Sequence, residues 1–234
     1  MEGRGQGSVP EVGAGGDASE SELPMVPGWK RFFDLAGIVV SLPVSLPLGL
    51  LIMLWVSVVS PGPVFFRQAR VGRGGRVFTI LKFRSMIVDA PTATHERHLE
   101  ELIQNGAPMT KLDKQADPRI IRGGRFLRAT GLDELPQLIN VLRGEMSLVG
   151  PRPSTPHEYE LFTAEQRSRV AVLPGLTGYW QVSGKNKLTL QQMIALDRQY
   201  MATMSPGMDL AIVVATLPAM FLQFMEARAV NAAA

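Results

Sequence analysis

The stretch Leu35-Ala36-Gly37-Ile38-Val39-Val40-Ser41-Leu42-Pro43-Val44-Ser45-Leu46-Pro47-Leu48-Gly49-Leu50-Leu51-Ile52-Met53-Leu54-Trp55-Val56-Ser57-Val58-Val59 decides the fold class. No charged residue falls between Asp34 and Arg67. At about 1.5 Å per residue such a helix is long enough for the hydrocarbon core of a bilayer. Pro43 and Pro47 each remove a backbone donor and crowd the preceding turn, so the helix should kink sharply there. Bases flank both ends, Lys30 and Arg31 before the segment and Arg67, Arg70, Arg73 and Arg76 after it, and such flanks resist translocation of either end. Prolines and charges together predict a re-entrant helical hairpin, broken at Pro43 and Pro47, that dips into one leaflet and returns. A straight span and a buried core helix are the alternatives.

Composition agrees with a membrane-associated class. The 234 residues suffice for one domain plus a membrane element. Hydrophobic residues make up 46% and charged residues only 19%, little surface charge for a small soluble protein. With no cysteine, a disulfide framework, a thiol nucleophile, a cysteine-ligated zinc and an iron–sulfur cluster are excluded. Residues 1–27 carry five acids (Glu2, Glu11, Asp17, Glu20, Glu22) and one base, Arg4. This Gly, Ser and Glu-rich stretch lacks an apolar period and reads as a disordered acidic tail. It has no basic segment followed by an apolar core, so it is not a signal peptide. The remainder is strongly basic, which suits anionic headgroups or phosphorylated substrates. A second apolar stretch, Leu210–Met225, contains Pro218 and is short for a span. It reads as an interfacial helix, with a plain core helix as the alternative.

Between these stretches, Val64-Phe65-Phe66 and Val77-Phe78-Thr79-Ile80-Leu81 flank Gly72, Gly74 and Gly75, which predicts a β-hairpin over 64–81. Residues 89–106 are helix-compatible and Lys111–Arg122 reads as a charged loop. From Gly123 to Leu142 the apolar positions keep three-and-four spacing, predicting a helix broken near Gly131 and kinked near Pro136. Inside it lies Leu132-Asp133-Glu134-Leu135, followed by Gln137 and Asn140. Two adjacent carboxylates can bind a divalent cation, supply a nucleophile or form a solvated face, and on the residues alone the solvated face is the default. The surroundings argue otherwise: Arg122, Arg125 and Arg128 precede the pair, while Arg143, Arg152 and turns at Gly144 and Gly150-Pro151 follow it. Arginines take phosphate bidentately, and a carboxylate-held cation bridges the remaining phosphate oxygens. The combination points to phosphoryl chemistry near a membrane.

Four blocks occur in order: Lys30-Arg31-Phe32-Phe33-Asp34; Lys82-Phe83-Arg84-Ser85-Met86; the run from Leu132-Asp133-Glu134-Leu135-Pro136 through Gly150-Pro151-Arg152-Pro153; and Pro174-Gly175-Leu176-Thr177-Gly178-Tyr179-Trp180-Gln181-Val182-Ser183-Gly184. Over about residues 29–228 the chain closely resembles the bacterial sugar transferases, the monotopic phosphoglycosyl transferases, and in particular their short exopolysaccharide-initiating members. The resemblance implies an α+β, membrane-monotopic protein: an acidic tail (1–28), a re-entrant hairpin (29–62), a small cytosolic α/β catalytic domain with amphipathic interfacial helices (63–228) and a short tail (229–234). It implies transfer of a sugar 1-phosphate from a UDP-sugar to a polyprenyl (undecaprenyl) phosphate at the cytoplasmic face of the bacterial inner membrane, with galactose or glucose as the sugar.

In that scheme Asp133 matches the nucleophile, which becomes phosphosugar-modified as UMP leaves. Glu134 matches the second member of the dyad, and Asp133 and Glu134 are the implied Mg²⁺ ligands. Arg152 is the first choice for a phosphate contact, with Lys82, Arg84, Arg119 and Arg128 as further substrate-binding candidates and Glu158 near the site. The chain departs from the common pattern at Leu46 before Pro47, at Leu173 and at Lys185, where a point charge replaces the more frequent arginine fork. His95 and His98 read as a solvated helix face, and Trp180 as a core or interfacial anchor. Inner-membrane lipids are expected neighbours. A homo-oligomer is left open. A nucleic-acid partner is disfavoured because the bases flank an apolar segment and acids interleave elsewhere. The competing class is a noncatalytic membrane scaffold of the same fold, which would have no physical need for the carboxylate pair.

Overall fold

A computed structural model describes residues 23–88, 93–109, 117–184 and 187–232. Most of the acidic tail and Lys185 therefore lie outside the described residues. The first helix, α1, covers Gly28–Val59 and contains both Pro43 and Pro47. The backbone is helical through the prolines, where a break between two helices was expected. Each proline deletes one hydrogen bond, and the bonds on either side carry the helix through. It is the one described helix long and apolar enough to cross a membrane, and its most apolar window is only 11% buried.

Both ends of α1 pack on the same body while its middle is bare. Near the start, Ile38 joins Ile80, Val141 and Met146 in one buried cluster. Near the end, Ile52 and Val56 join Phe83, Ile121 and Leu127 in another. Between them Val39, Val40, Val44, Leu46, Leu50 and Leu51 are all exposed, an apolar patch far beyond what scattered surface hydrophobes produce.

Polar clamps reinforce the two ends. Lys30 donates its three protons to Val149 O at 2.6 Å, Tyr200 Oη at 2.6 Å and the Asp209 carboxylate. Asp34 accepts from Ser147 Oγ and the Leu148 amide, both at 2.8 Å. Arg31 donates to the carbonyls of Val141 and Leu142. The bases read as the flank preceding the apolar segment thus lie in the first turn of α1 and are spent inside the protein: Lys30 is 4% exposed, and its buried ammonium has a partner for each proton.

The next elements form the expected hairpin. Strand β1 (Phe65–Val71) pairs antiparallel with β2 (Val77–Phe83), from Phe65 opposite Phe83 to Val71 opposite Val77. The turn between them needs the left-handed region at Gly74 (φ +67°) and Gly75 (φ +79°). Helix α2 (Ala93–Gln104) follows, then α3 (Gly124–Thr130), a 3₁₀ turn over Leu132–Glu134 and α4 (Gln137–Leu142). The breaks at Gly131 and Pro136 fall where the sequence places them.

Strand β3 (Ser147–Val149) leads to α5 (Pro156–Leu161) and α6 (Ala164–Arg167), and β4 (Gly175–Thr177) pairs parallel with β3. That pairing admits no side chain at Gly175, where a Cβ would lie 2.1 Å from Gly150 N. The chain ends in α7 (Tyr179–Val182), α8 (Leu190–Thr203) and α9 (Pro206–Ala232). In α9, Asp209 and Ile212 are buried while Leu210, Val214 and Leu217 are exposed, so this helix serves the core with one face and leaves an apolar face outside. Trp180 is 3% exposed, a core anchor.

Candidate active site

The dyad sits on a turn rather than on a helix face. Gly131 ends α3 in the left-handed conformation (φ +67°), the usual way a glycine terminates a helix. The chain then tightens, with Glu134 N bonded to Gly131 O at 3.0 Å and Leu135 N to Leu132 O at 3.3 Å, before Pro136 leads into α4. Leu132 and Leu135 pack into the cluster formed by Ile52, Val56, Phe83, Ile121 and Leu127. That packing turns Asp133 inward, leaving it 7% exposed. A solvated face is excluded, because burying a carboxylate to this extent costs free energy unless partners receive it.

The basic residues fall into two groups. Lys82, on β2, donates to Glu134 Oε1 at 2.6 Å. Arg119 is pinned to Asp117 through Nε at 2.9 Å and Nη2 at 2.8 Å, while Arg128 reaches Met86 Sδ at 3.7 Å. Arg152 is exposed on the turn after β3 and makes no hydrogen bond or ion pair within the described residues. Arg84 is different: it is 4% exposed and its guanidinium binds the carbonyls of Ser60 and Pro61, which holds the end of α1. Glu158 completes a capping box with Thr155 at the start of α5, accepting from Thr155 N at 2.7 Å, an arrangement that satisfies two helix-end donors.

All eight sequence-proposed residues, Asp133, Glu134, Lys82, Arg84, Arg119, Arg128, Arg152 and Glu158, line one cavity of about 2050 Å³. Its wall continues onto Val40, Ser41 and Ser45 of α1 and onto Leu210, Leu217 and Met220 of α9. One space thus joins a carboxylate pair and several cations to the apolar helices. Among the described residues no cluster of three or more His, Asp or Glu could cage a metal. The adjacent pair Asp133 and Glu134 does fit Mg²⁺, which takes one or two carboxylates and completes its shell with phosphate oxygens and water. Asn140, which follows the pair in the sequence, is committed elsewhere: its amide binds Thr79 O at 2.7 Å and Glu145 Oε2 at 2.6 Å, and its carbonyl accepts from Leu81 N at 3.2 Å. It ties α4 to β2.

One residue of this neighbourhood escapes sequence reasoning. Arg70, on β1, is 6% exposed and lines the cavity. Burial, helped by the like charge of Arg152, pulls its guanidinium down to about 10, while Glu158 and Glu134 oppose the shift. It stays charged at neutral pH. Only its place between Ala69 and Val71, near the end of a strand, could have hinted at an inward-facing cation.

A family model described as bacterial sugar transferase matches residues 26–223. The chain is 41% identical over 196 residues to the galactosyl transferase CpsE of Streptococcus agalactiae, covering 82% of this chain and 42% of that protein. It is 41% identical over 195 residues to the exopolysaccharide production protein ExoY of Rhizobium meliloti, covering 82% and 85% of the two chains. It is also 41% identical over 199 residues to a UDP-glucose:undecaprenyl-phosphate glucose-1-phosphate transferase of Caulobacter vibrioides, covering 82% and 69%. The chain therefore spans most of ExoY and less than half of CpsE.

Proposed function

The chain belongs to the bacterial sugar transferase family, and from that premise we propose that it moves a sugar 1-phosphate from a UDP-sugar onto undecaprenyl or a related polyprenyl phosphate, initiating exopolysaccharide or a related glycan. The observation that carries this reading is the cavity itself. A buried carboxylate, its acidic neighbour and the cations Lys82, Arg119, Arg128 and Arg152 share one space with the apolar faces of α1 and α9. A nucleotide sugar needs the first set and a prenyl carrier needs the second.

In the first half-reaction a carboxylate oxygen of Asp133 attacks the β-phosphorus of the UDP-sugar, and the bond from that phosphorus to the bridging oxygen breaks. UMP departs with the bridging oxygen, leaving the sugar phosphate as an acyl phosphate on Asp133. In the second, a phosphate oxygen of the carrier attacks the same phosphorus, the bond to Asp133 breaks and the free carboxylate returns. Covalent catalysis of this kind replaces one awkward transfer between two anions by two steps. Glu134 and Asp133 would hold Mg²⁺, which when bound neutralises diphosphate charge. Lys82 fixes Glu134 by its 2.6 Å hydrogen bond, and Arg152 meets the diphosphate from the turn after β3.

The same reading places α1 as a re-entrant element in one leaflet, with the site at the cytoplasmic face of the inner membrane. Its support is that both ends of α1 pack on one body while the middle is bare. A straight span would carry one packed end away from its partners.

The test uses a UDP-sugar labelled in the sugar or the β-phosphate, offered without prenyl phosphate. Wild-type protein, screened with UDP-glucose and UDP-galactose, should release UMP and retain label on the peptide containing Asp133. Asp133→Asn should do neither. Near-normal turnover by Asp133→Asn, or label on another peptide, would replace the covalent path by direct transfer between two bound substrates.

A further inference from the structure

We propose that Arg70 is a positioning residue for Arg152: its guanidinium holds the backbone at Pro153 and the carboxylate of Glu158, fixing the point from which Arg152 reaches the cavity. The proposal rests on the reading above, in which Arg152 meets the diphosphate.

The turn cannot fix itself. Pro151 and Pro153 have no N–H, so only Gly150 and Arg152 retain backbone donors. Arg152 has no side-chain hydrogen bond or ion pair among the described residues, so its location is set by its backbone alone. The backbone must therefore be held from outside, chiefly through its carbonyls. On one side Gly175 N donates to Pro151 O at 2.8 Å, and Gly150 N donates to Thr177 O at 2.9 Å. On the other side Arg70 Nη1 donates to Pro153 O at 3.1 Å, and the neighbouring Val71 N donates to Ser154 O at 2.8 Å.

Two further contacts of Arg70 belong to the same frame, while its Nε–H has no hydrogen-bond partner among the described residues. Its Nη1 lies 3.6 Å from Glu158 Oε2 and its Nη2 donates to Gln68 Oε1 at 2.8 Å. Glu158 in turn accepts from Thr155 N at 2.7 Å, while Thr155 Oγ1 accepts from Glu158 N at 3.0 Å. One planar fork thus spans a carbonyl, a carboxylate and an amide, a task that a lysine point charge does not reproduce. The arrangement also places two cations close together, a cost that a neutral clamp would avoid and that a bound diphosphate would offset.

The experiment is a double-mutant cycle on the full chain in nanodiscs: wild type, Arg70→Gln, Arg152→Gln and both together. Affinity for UDP with Mg²⁺ is read by calorimetry, and KM and kcat by UMP release from UDP-glucose or UDP-galactose. Each single variant is expected to weaken UDP binding and raise KM about tenfold with kcat nearly unchanged, and the double variant to match Arg152→Gln. Losses that multiply to about a hundredfold in the double variant would show that the two act independently and overturn the proposal. Unchanged UDP affinity in Arg70→Gln would overturn it as well. Should Arg70→Gln fold poorly, Arg70→Lys enters the same cycle, with a smaller KM effect expected that again vanishes beside Arg152→Gln. Wild-type protein that binds UDP without releasing UMP would count against the transfer reading, while the UDP cycle would still decide the role of Arg70.

Discussion

Replacing Lys30 by methionine tests the clamp that holds the start of α1. The side chains are similar in length, so little cavity opens and the change isolates the ammonium. In the native protein that ammonium joins Val149 O, Tyr200 Oη and Asp209 at the meeting point of α1, β3 and α9. Burial and the Asp209 charge push the Tyr200 phenol up, so it stays protonated and continues to donate to Asp209 Oδ1 at 2.8 Å. That single neutral donor cannot replace a cation for a carboxylate that is 0% exposed. Breaking one side of a buried pair typically costs about 3–5 kcal/mol. For a domain of this size each kcal/mol moves the melting temperature by about 2–4 °C, so a fall of roughly 6–20 °C is expected. Intrinsic tryptophan fluorescence reports it, since Trp29 adjoins the site. Combining Lys30→Met with Asp209→Leu should recover much of the loss, because an apolar pair of similar volume is often no worse than a buried ion pair. A fall below about 2 °C in Lys30→Met, or additive losses in the double variant, would refute the reasoning.

Asp197 and Arg169 form a second buried pair, 2.6 Å apart but poorly aligned as a hydrogen bond, and burial pushes the Asp197 carboxyl up to about 6 from 3.8 against the pull of Arg169. A raised carboxyl favours the folded state below the unfolded value and loses that contribution as pH rises from about 4 to 6, by about 3 kcal/mol. Denaturant midpoints of wild type relative to Asp197→Asn should therefore fall across that window and be flat above it; a constant difference would mean that Asp197 is ionised throughout. The re-entrant reading of α1 predicts that single cysteines at Met25 and Glu160, in a chain with no other cysteine, are both shielded from an impermeant maleimide in intact cells. Pro43→Ala with Pro47→Ala should raise labelling of the Met25→Cys protein, and labelling before the prolines are removed would establish a straight span.

Local signals in the sequence carried the local structure. The hairpin lies within two residues of its expected bounds because Gly74 and Gly75 set a turn that few other residues enter. The interruptions at Gly131 and Pro136 likewise come from backbone chemistry written at those positions. The candidate site was legible as a set of residue types, and the fold brings all eight to one cavity. Their division of labour was not legible. Nothing near Arg84 says that its fork is taken by the carbonyls of Ser60 and Pro61, and nothing near Asn140 says that it serves β2. Lys30 finds partners 119, 170 and 179 residues away, and no periodicity reports contacts of that range.

That range bears on how α1 should be understood. A reading based on length asks whether an apolar helix of 32 residues is long enough to cross a bilayer, and the answer is yes. Length, however, constrains a helix only when its ends are free to separate. Here Lys30, Arg31 and Asp34 tie the first turns to β3, α4 and α9, and Arg84 ties the segment just past the last turn to the end of β2. The charges that the sequence offers as flanks facing the membrane surface are, at Lys30 and Arg31, hydrogen-bonded clamps facing the domain. To place the two ends on opposite sides of a bilayer, one set of these buried polar contacts would have to open and leave its groups without partners. Each orphaned donor or acceptor costs about 1–3 kcal/mol and a charged one more. On the re-entrant reading proposed above, the cost of opening several such groups at either end opposes a straight span. On that reading the hydrophobic middle of α1 meets the membrane and the polar clamps keep both of its ends on one side of it.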